Sequence, residues 1–386
     1  MTHFTQEQLN NKLFLEQTLS FNRMGAYKDG TRCGAVPQMN GDVLIRLHIP
    51  GAKTVKMHIS VSNGVFTDIE LKNAEGCLFE GCIPFDEKMT GPANVNLFVN
   101  GAEVLVPDLP IIWTDNRPQN NVEIPDEGMD YLLLRDVPHG ALTRELIHSH
   151  STGAWERCMV YTPAGYKQSK QPLPVLYLLH GGGDNEQMWE YVGKMSHTLD
   201  NLWAEGKAKK FIVVMMNGML RAGGRIESAV DSAFEEMLLQ DCIPFIEKNY
   251  AAKTDKWNRA IAGLSMGAYM SCDIAFAHPE LFGSLGTFTA SMCRDAEYVY
   301  ERPYRRVLAA GAEDFAQNYR LYWRSTTPQE NHPEFFEQDD MLLKQAGIYE
   351  LACHHRVMYR PTTSKWNSWR MGLRDFAELL FDEREN

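Results

Sequence analysis

The hydrophobic pattern of this chain changes its period about a third of the way along, and that change limits the folds open to it. Between Gly34 and Trp113 short segments alternate apolar and polar residues: DVLIRLHIP, TVKMHISV, FTDIELK, CLFEGCIPF and NVNLFVNG. Each is bounded by Gly, Asn, Pro or Asp, residues that turn a chain. Alternation turns one face of a strand to a core and the other to water, so this stretch predicts a β-sandwich. Further on, the apolar residues come in unbroken runs, LPVLYLLH, KFIVVMMN, RAIAGLS and GSLGTFTA, as expected of strands buried on both faces. Helical stretches near 185–206, 229–249, 266–277 and 368–383 separate them, and Pro244 should bend the second. RRVLAAG (305–311) and HRVMYRP read as the last two strands. The second domain is therefore α/β with a mostly parallel sheet. The polar segment 114–130, TDNRPQNNVEIPDEGMD, carries two prolines and reads as the join. The expected division is a sandwich over 1–118, a linker over 119–135 and an α/β domain over 136–386, with a short helix opening the polar residues 1–30.

Two motifs carry chemistry. Gly263-Leu264-Ser265-Met266-Gly267 fits G-x-S-x-G and lies between a predicted strand and a predicted helix. A nucleophile elbow needs that setting: the turn is tight, the flanking glycines admit close backbone approach, and the serine is held at the head of a helix. His180-Gly181-Gly182-Gly183 directly follows LPVLYLL. Glycines there let backbone N–H groups reach a developing oxyanion, and the expected donors are the amides of Gly182 and Met266. Read more plainly, the same glycines make an ordinary strand-to-helix turn. A phosphate loop is disfavoured because no Gly-Lys-Ser/Thr follows. For His180 a structural role, pinning the loop, is preferred.

Taken together, LPVLYLLHGGG, Trp189, GLSMGAYMS and HPELFG (278–283) resemble the esterase-D and feruloyl-esterase branch of the α/β-hydrolases. That branch is similar to bacterial siderophore esterases and mycolyl transferases. VYTPAGY (160–166) and DCIPFIEKNY match its entry strand and the helix before the elbow, so the resemblance spans about 136–385. More loosely, IPGAKTVKMHIS and VNLFVNGAEVLVPDLP are similar to the early-set (E-set) β-sandwich that precedes such esterases. The resemblance implies an α/β-hydrolase behind an Ig-like domain, acting as a serine esterase through an acyl-enzyme on Ser265. Its first substrate reading is a hydroxycinnamate–sugar ester, which would make the protein a carbohydrate esterase. The alternatives are an enterobactin-type siderophore esterase and a catalytically impaired hydrolase-fold binding protein.

The resemblance also implies an acid after the strand before the last. With RRVLAAG as that strand, the acid position falls on Asp314; otherwise Asp314 is a helix N-cap. The family histidine comes after the last strand, before a tryptophan matched here by Trp369. Counting back from it, the histidine position holds Ser364, and no histidine follows His355. The triad as read is incomplete. His354 and His355 open the last strand, far from its catalytic end, and His278 follows the elbow helix. His332, in the extended segment TTPQENHPEFF, is the one substitute base considered. His148 and His150 would share a strand face, as a metal pair does, but a solvated edge is the simpler reading.

Composition narrows the partners. The net charge is −12 and no Lys/Arg cluster offers a face for neutralising phosphates, which argues against nucleic acid. The same acidity argues against an anionic membrane surface, and no apolar run approaches the length of a membrane span. The start lacks a basic segment followed by an apolar one, so no secretory signal is read. None of the eight cysteines forms a Cys-x-x-Cys pair, and several lie in apolar stretches, which suggests reduced thiols and a cytoplasmic location. No cofactor and no metal are expected. The expected partner is a small-molecule or oligosaccharide ester, and a homo-oligomer is left open.

Overall fold

The computed structural model describes residues 33–62, 65–169, 171–222, 225–226, 233–289, 303–328, 330, 333–360 and 364–382. The chain divides into two compact units. One holds the residues up to Asp136 together with 362–367; the other holds Val137–Pro361 and the chain from Ser368 on. The helix read into residues 1–30 lies outside the described residues.

In the first unit the alternating segments are strands: β1 (Gly34–Pro37), β2 (Val43–His48), β3 (Val55–Ser62), β4 (Val65–Glu75), β5 (Leu78–Ile83), β6 (Gly91–Val99), β7 (Ala102–Val104), β8 (Ile111–Thr114) and β9 (Arg117–Ile124). Their antiparallel order is β1-β2-β5-β4-β3-β6-β9-β8, with β7 beside β6. The eleven-residue β4 turns the corner of the sandwich: its first part pairs with β3 as far as Val55↔Leu71, and its last part pairs with β5 from Lys72↔Glu80. Val43, Ile45 and Leu47 of β2 face Val55, Met57 and Ile59 of β3 across one buried core. Alternation predicted these strands, but the polar segment that followed them was misread. Residues 117–124 of the expected join are β9, an interior strand between β6 and β8. Polar side chains hid it by serving the backbone. The buried Asn120 side chain accepts from the Val106 amide and donates to the Val106 carbonyl, both at 2.9 Å. Asp115 and Asn116, at φ 50° and 60°, make the tight hairpin turn before it.

The second unit is α/β. Its sheet runs β10 (Ala141–His148), β11 (Trp155–Thr162), β12 (Val175–Leu179), β13 (Ile212–Met216), β16 (Arg259–Leu264), β17 (Ser284–Phe288), β18 (Leu321–Thr326) and β19 (His354–Met358), while β14 (Arg221–Ala222) and β15 (Arg225–Ile226) form a separate hairpin. The order is β10-β11-β13-β12-β16-β17-β18-β19; β10 and β11 are antiparallel, and β13 through β19 run parallel. The unbroken runs β12, β13, β16 and β17 are buried along their whole length. Before Pro244, residues Met237–Cys242 widen into a π-helix, where the ring would otherwise meet the carbonyl one turn back.

One expected strand is a helix. Arg305–Gly311 lies in the helix Pro303–Asn318, which kinks at Gly311 (φ 83°). The strand in that place is β18, LYWRST. Arg324 disguised it as a surface segment, yet Arg324 is fully buried, with Nη1 donating to Asp340 at 2.8 Å and Nη2 to Asp339 at 3.3 Å. Among the described residues no helix is long and apolar enough to cross a membrane.

Candidate active site

The parallel strands bring their C-terminal ends to one edge in a fixed register. Leu264 pairs with Phe288, Phe288 with Ser325, and Ser325 with Val357. One residue further, Ser265, Thr289, Thr326 and Met358 stand at one level. On the other side Gly263 pairs with Leu179, so Gly181 comes level with Ser265.

Ser265 occupies a turn that ordinary residues avoid, φ 48° and ψ −117°, between β16 and the helix Met266–Ala277. Such a conformation costs on the order of 1–3 kcal/mol and persists only where its surroundings enforce it. Here they do. The Ser265 amide donates to the Phe288 carbonyl at 3.1 Å. A Cβ on Gly263 would fall 2.5 Å from the Gly267 carbonyl, and a Cβ on Gly267 would fall 2.5 Å from the His180 carbonyl. Glycine is required at both flanks, which is the physical content of the motif. The hydroxyl does not cap the helix. Ser265 is half-buried, and its hydroxyl is not used by any described group.

The glycine loop lies against this turn. A Cβ on Gly181 would come within 3.6 Å of the Ser265 Cβ, and one on Gly182 within 3.9 Å of the Met266 sulfur. Met266 is the first residue of its helix, so its N–H has no carbonyl of that helix to bind. The Gly182 N–H meets no backbone acceptor among the described residues. Neither expected oxyanion amide has a backbone acceptor among the described residues. His180 holds the loop from beneath. Its Nδ1–H donates to the Gly181 carbonyl at 2.7 Å, and its Nε2 accepts from the Gly218 amide at 2.9 Å. Burial pushes its pKa down to about 4, so the ring is neutral, with the proton on Nδ1. Trp189 pins the end of β12 by donating to the Leu179 carbonyl at 2.9 Å. Trp369 donates to the Thr289 hydroxyl at the edge itself.

The residues expected to complete the triad are not gathered there. Asp314 sits on a helix, not after a strand. It accepts from Asn318 at 3.3 Å, and Asn318 in turn accepts from Lys256, the residue group that precedes β16. That is the edge opposite Ser265, so the acid expectation loses its ground once β18 replaces Arg305–Gly311 as the penultimate strand. Ser364 groups with the first unit, where its buried hydroxyl donates to the Pro92 carbonyl at 3.4 Å. His332 lies outside the described residues. His354 is held at the start of β19 by the Tyr349 carbonyl, and His278 pairs with Glu235 at 2.8 Å beyond the far end of the elbow helix. His148 and His150 cluster edge-on with Trp155 on the β10–β11 hairpin. What the sequence reading missed is β18 as the strand from which the segment already considered for His332 departs at the Ser265 edge. That segment begins Thr326-Thr327-Pro328, and its first carboxylate is Glu330. The apolar run Leu321-Tyr322-Trp323 was the available signal.

Comparisons with known proteins place the second unit among esterases. A family model described as "Putative esterase" matches residues 149–374, a span that contains the glycine loop, the elbow and β12 through β19. An endo-1,4-β-xylanase/feruloyl esterase of Xylanibacter ruminicola is 34% identical over 277 residues, covering 69% of this chain and 35% of that protein. An esterase of Mycobacterium tuberculosis is 29% identical over 145 residues, covering 35% of this chain and 30% of its own. The chain thus spans about a third of the length of the curated relatives it matches. Among solved structures, the enterobactin esterase of Shigella flexneri is 13% identical with a TM-score of 0.60, covering 88% of this chain and 94% of that one. The ferulic acid esterase of Anaeromyces mucronatus is 20% identical with a TM-score of 0.54, covering 67% and 96%. With an elbow serine on a parallel sheet, a glycine loop at its side and the family match across more than half its length, the chain belongs to this esterase family of α/β-hydrolases.

Proposed function

We propose that the protein is a serine carboxylic-ester hydrolase working through an acyl-enzyme. The carrying observation is the strained, uncommitted Ser265 beside the open amides of Gly182 and Met266. In this reading Ser265 Oγ adds to the ester carbonyl carbon, and the carbonyl oxygen takes its negative charge against the two amides. A general base removes the serine proton and returns it to the leaving alkoxide as the C–O bond breaks. Water then attacks the acyl-serine and passes its proton to the base, which returns it to Ser265 Oγ as the acyl–oxygen bond breaks and the acid leaves. Asp314 and Ser364 are committed elsewhere, so we assign the acid and base to the segment after β18, as Glu330 and His332.

An enterobactin-type siderophore ester is the substrate class we favour, because likeness to the enterobactin esterase extends over most of the chain. A feruloyl–sugar ester is the second reading, supported by the Xylanibacter relative. The test is a panel of p-nitrophenyl acetate, methyl ferulate and a catecholate trilactone, with a fluorophosphonate probe and Ser265→Ala as control. Labelling and turnover confined to the wild type support the reading. An unlabelled wild type, inert on all three esters, would replace it with a binding protein of hydrolase fold.

A further inference from the structure

The edge of the parallel sheet opposite Ser265 carries a cavity of about 570 Å³, a volume usual for sites that hold small organic molecules. It opens where β12, β13, β16, β17 and β18 begin, and β16 alone, six residues long, separates this edge from Ser265 by roughly 20 Å. In a chain of net charge −12 its lining is conspicuously basic: Lys209, Lys210, Lys253 and Arg320 stand against one carboxylate, Asp382.

Among the described residues none of these four cations makes an ion pair with a carboxylate. Lys210 Nζ donates to the Ala164 carbonyl at 3.3 Å, and the Arg320 guanidinium lies over the Trp257 ring, 4.3 Å from its centroid. Among the described residues the Lys209 and Lys253 side chains make no contact of either kind. Their backbones, however, are fixed. The Lys209 carbonyl accepts from Trp203 Nε1 at 2.8 Å, and the Lys253 amide donates to the Leu173 carbonyl at 2.9 Å, beside the bridge Leu173↔Ala252. The same lining also holds aromatic and aliphatic side chains, among them Tyr166, Trp257 and Leu173. Charge alone would suit any anion, but this apolar wall gives a bare inorganic ion nothing to bury.

We propose that this cavity binds an organic carboxylate with an aromatic body. The carboxylate is held between Lys209 and Lys253, and the ring packs on the apolar wall. The site is separate from Ser265 and does not rest on the esterase reading. The test is calorimetric titration of the full chain at low ionic strength with trans-cinnamate, with its neutral analogue cinnamamide, and with inorganic phosphate. Wild type and Lys209→Glu/Lys253→Glu are compared, with thermal melting as the check on folding. Cinnamate should saturate the wild type and bind the variant at least ten-fold more weakly, while cinnamamide and phosphate bind the wild type at least ten-fold more weakly than cinnamate. Should the charge reversal unfold the protein, Lys209→Gln/Lys253→Gln replaces it, with the same direction expected. Cinnamate binding unchanged in the folded variant, no saturable binding to the wild type, or phosphate binding as tightly as cinnamate would each overturn the proposal.

Discussion

Along the edge that carries Ser265, the loops after β12 and β16 differ in kind from the segments after β18 and β19. The first pair works through the backbone. Gly181–Gly183 and Met266 offer amides, and the elbow is enforced by contacts that only glycine at 263 and 267 allows. In the proposed mechanism the second pair would supply side chains, an acid and a base, from segments whose course depends on where the strands end. The lesson is that a backbone device leaves its signature in the local sequence, whereas a side-chain device does not, because any Asp, Glu or His can be brought in by an irregular segment.

The largest effect that could break this contrast is on the base. If the β18 segment supplies it, His332→Ala should lower kcat by about 10⁴-fold or more, as loss of a triad histidine does. Glu330→Gln should cost less and leave KM nearly unchanged. Ser364→His should restore nothing. Ser364 is 1% exposed, and a Cβ on the facing Gly91 would lie only 2.7 Å from its own Cβ, so the larger ring should lower the melting temperature instead. A gain in kcat/KM from Ser364→His, with His332→Ala silent, would return the base to the segment after β19.

The backbone half is tested by Gly267→Val. Its Cβ would meet the His180 carbonyl, so the expected outcome is loss of soluble, cooperatively melting protein rather than a folded enzyme with low activity. A folded, inactive variant would mean the elbow tolerates more than its contacts allow.

A smaller effect concerns His180. Its folded pKa of about 4 lies below the ordinary histidine value, so the unfolded chain binds the proton more readily. Stability is therefore full above about pH 6.5 and is lost as pH falls from there towards 4, by up to about 3 kcal/mol from this residue. Buried His354, also pushed down to about 4, acts in the same direction. Thermal melts of wild type and His180→Asn over this range should converge as pH falls. Parallel curves would remove His180 as a contributor.

The smallest expected effect is on proteolysis. Because β9 is an interior strand, the first cut between the units should fall within 125–140 and spare 117–124. N-terminal sequencing of the larger fragment decides this.

Sequence alone determined the two-part organisation, the strands of alternating pattern, the buried strands β12, β13, β16 and β17, and the strand–turn–helix setting of the G-x-S-x-G motif. Those features are set by local period and by glycine spacing, which act over a few residues. Tertiary structure decided the rest. Polar composition made β9 look like a linker until Asn120 proved to be bonding the backbone of a neighbouring segment. Arg324 made β18 look like surface until Asp339 and Asp340, on the following helix, closed the charge inside the core. With β18 misplaced by one element, Asp314 was assigned to the wrong edge of the sheet. A buried polar side chain reads as exposed until its partner is known, and those partners lie 12 to 16 residues away or more, beyond the reach of any local pattern.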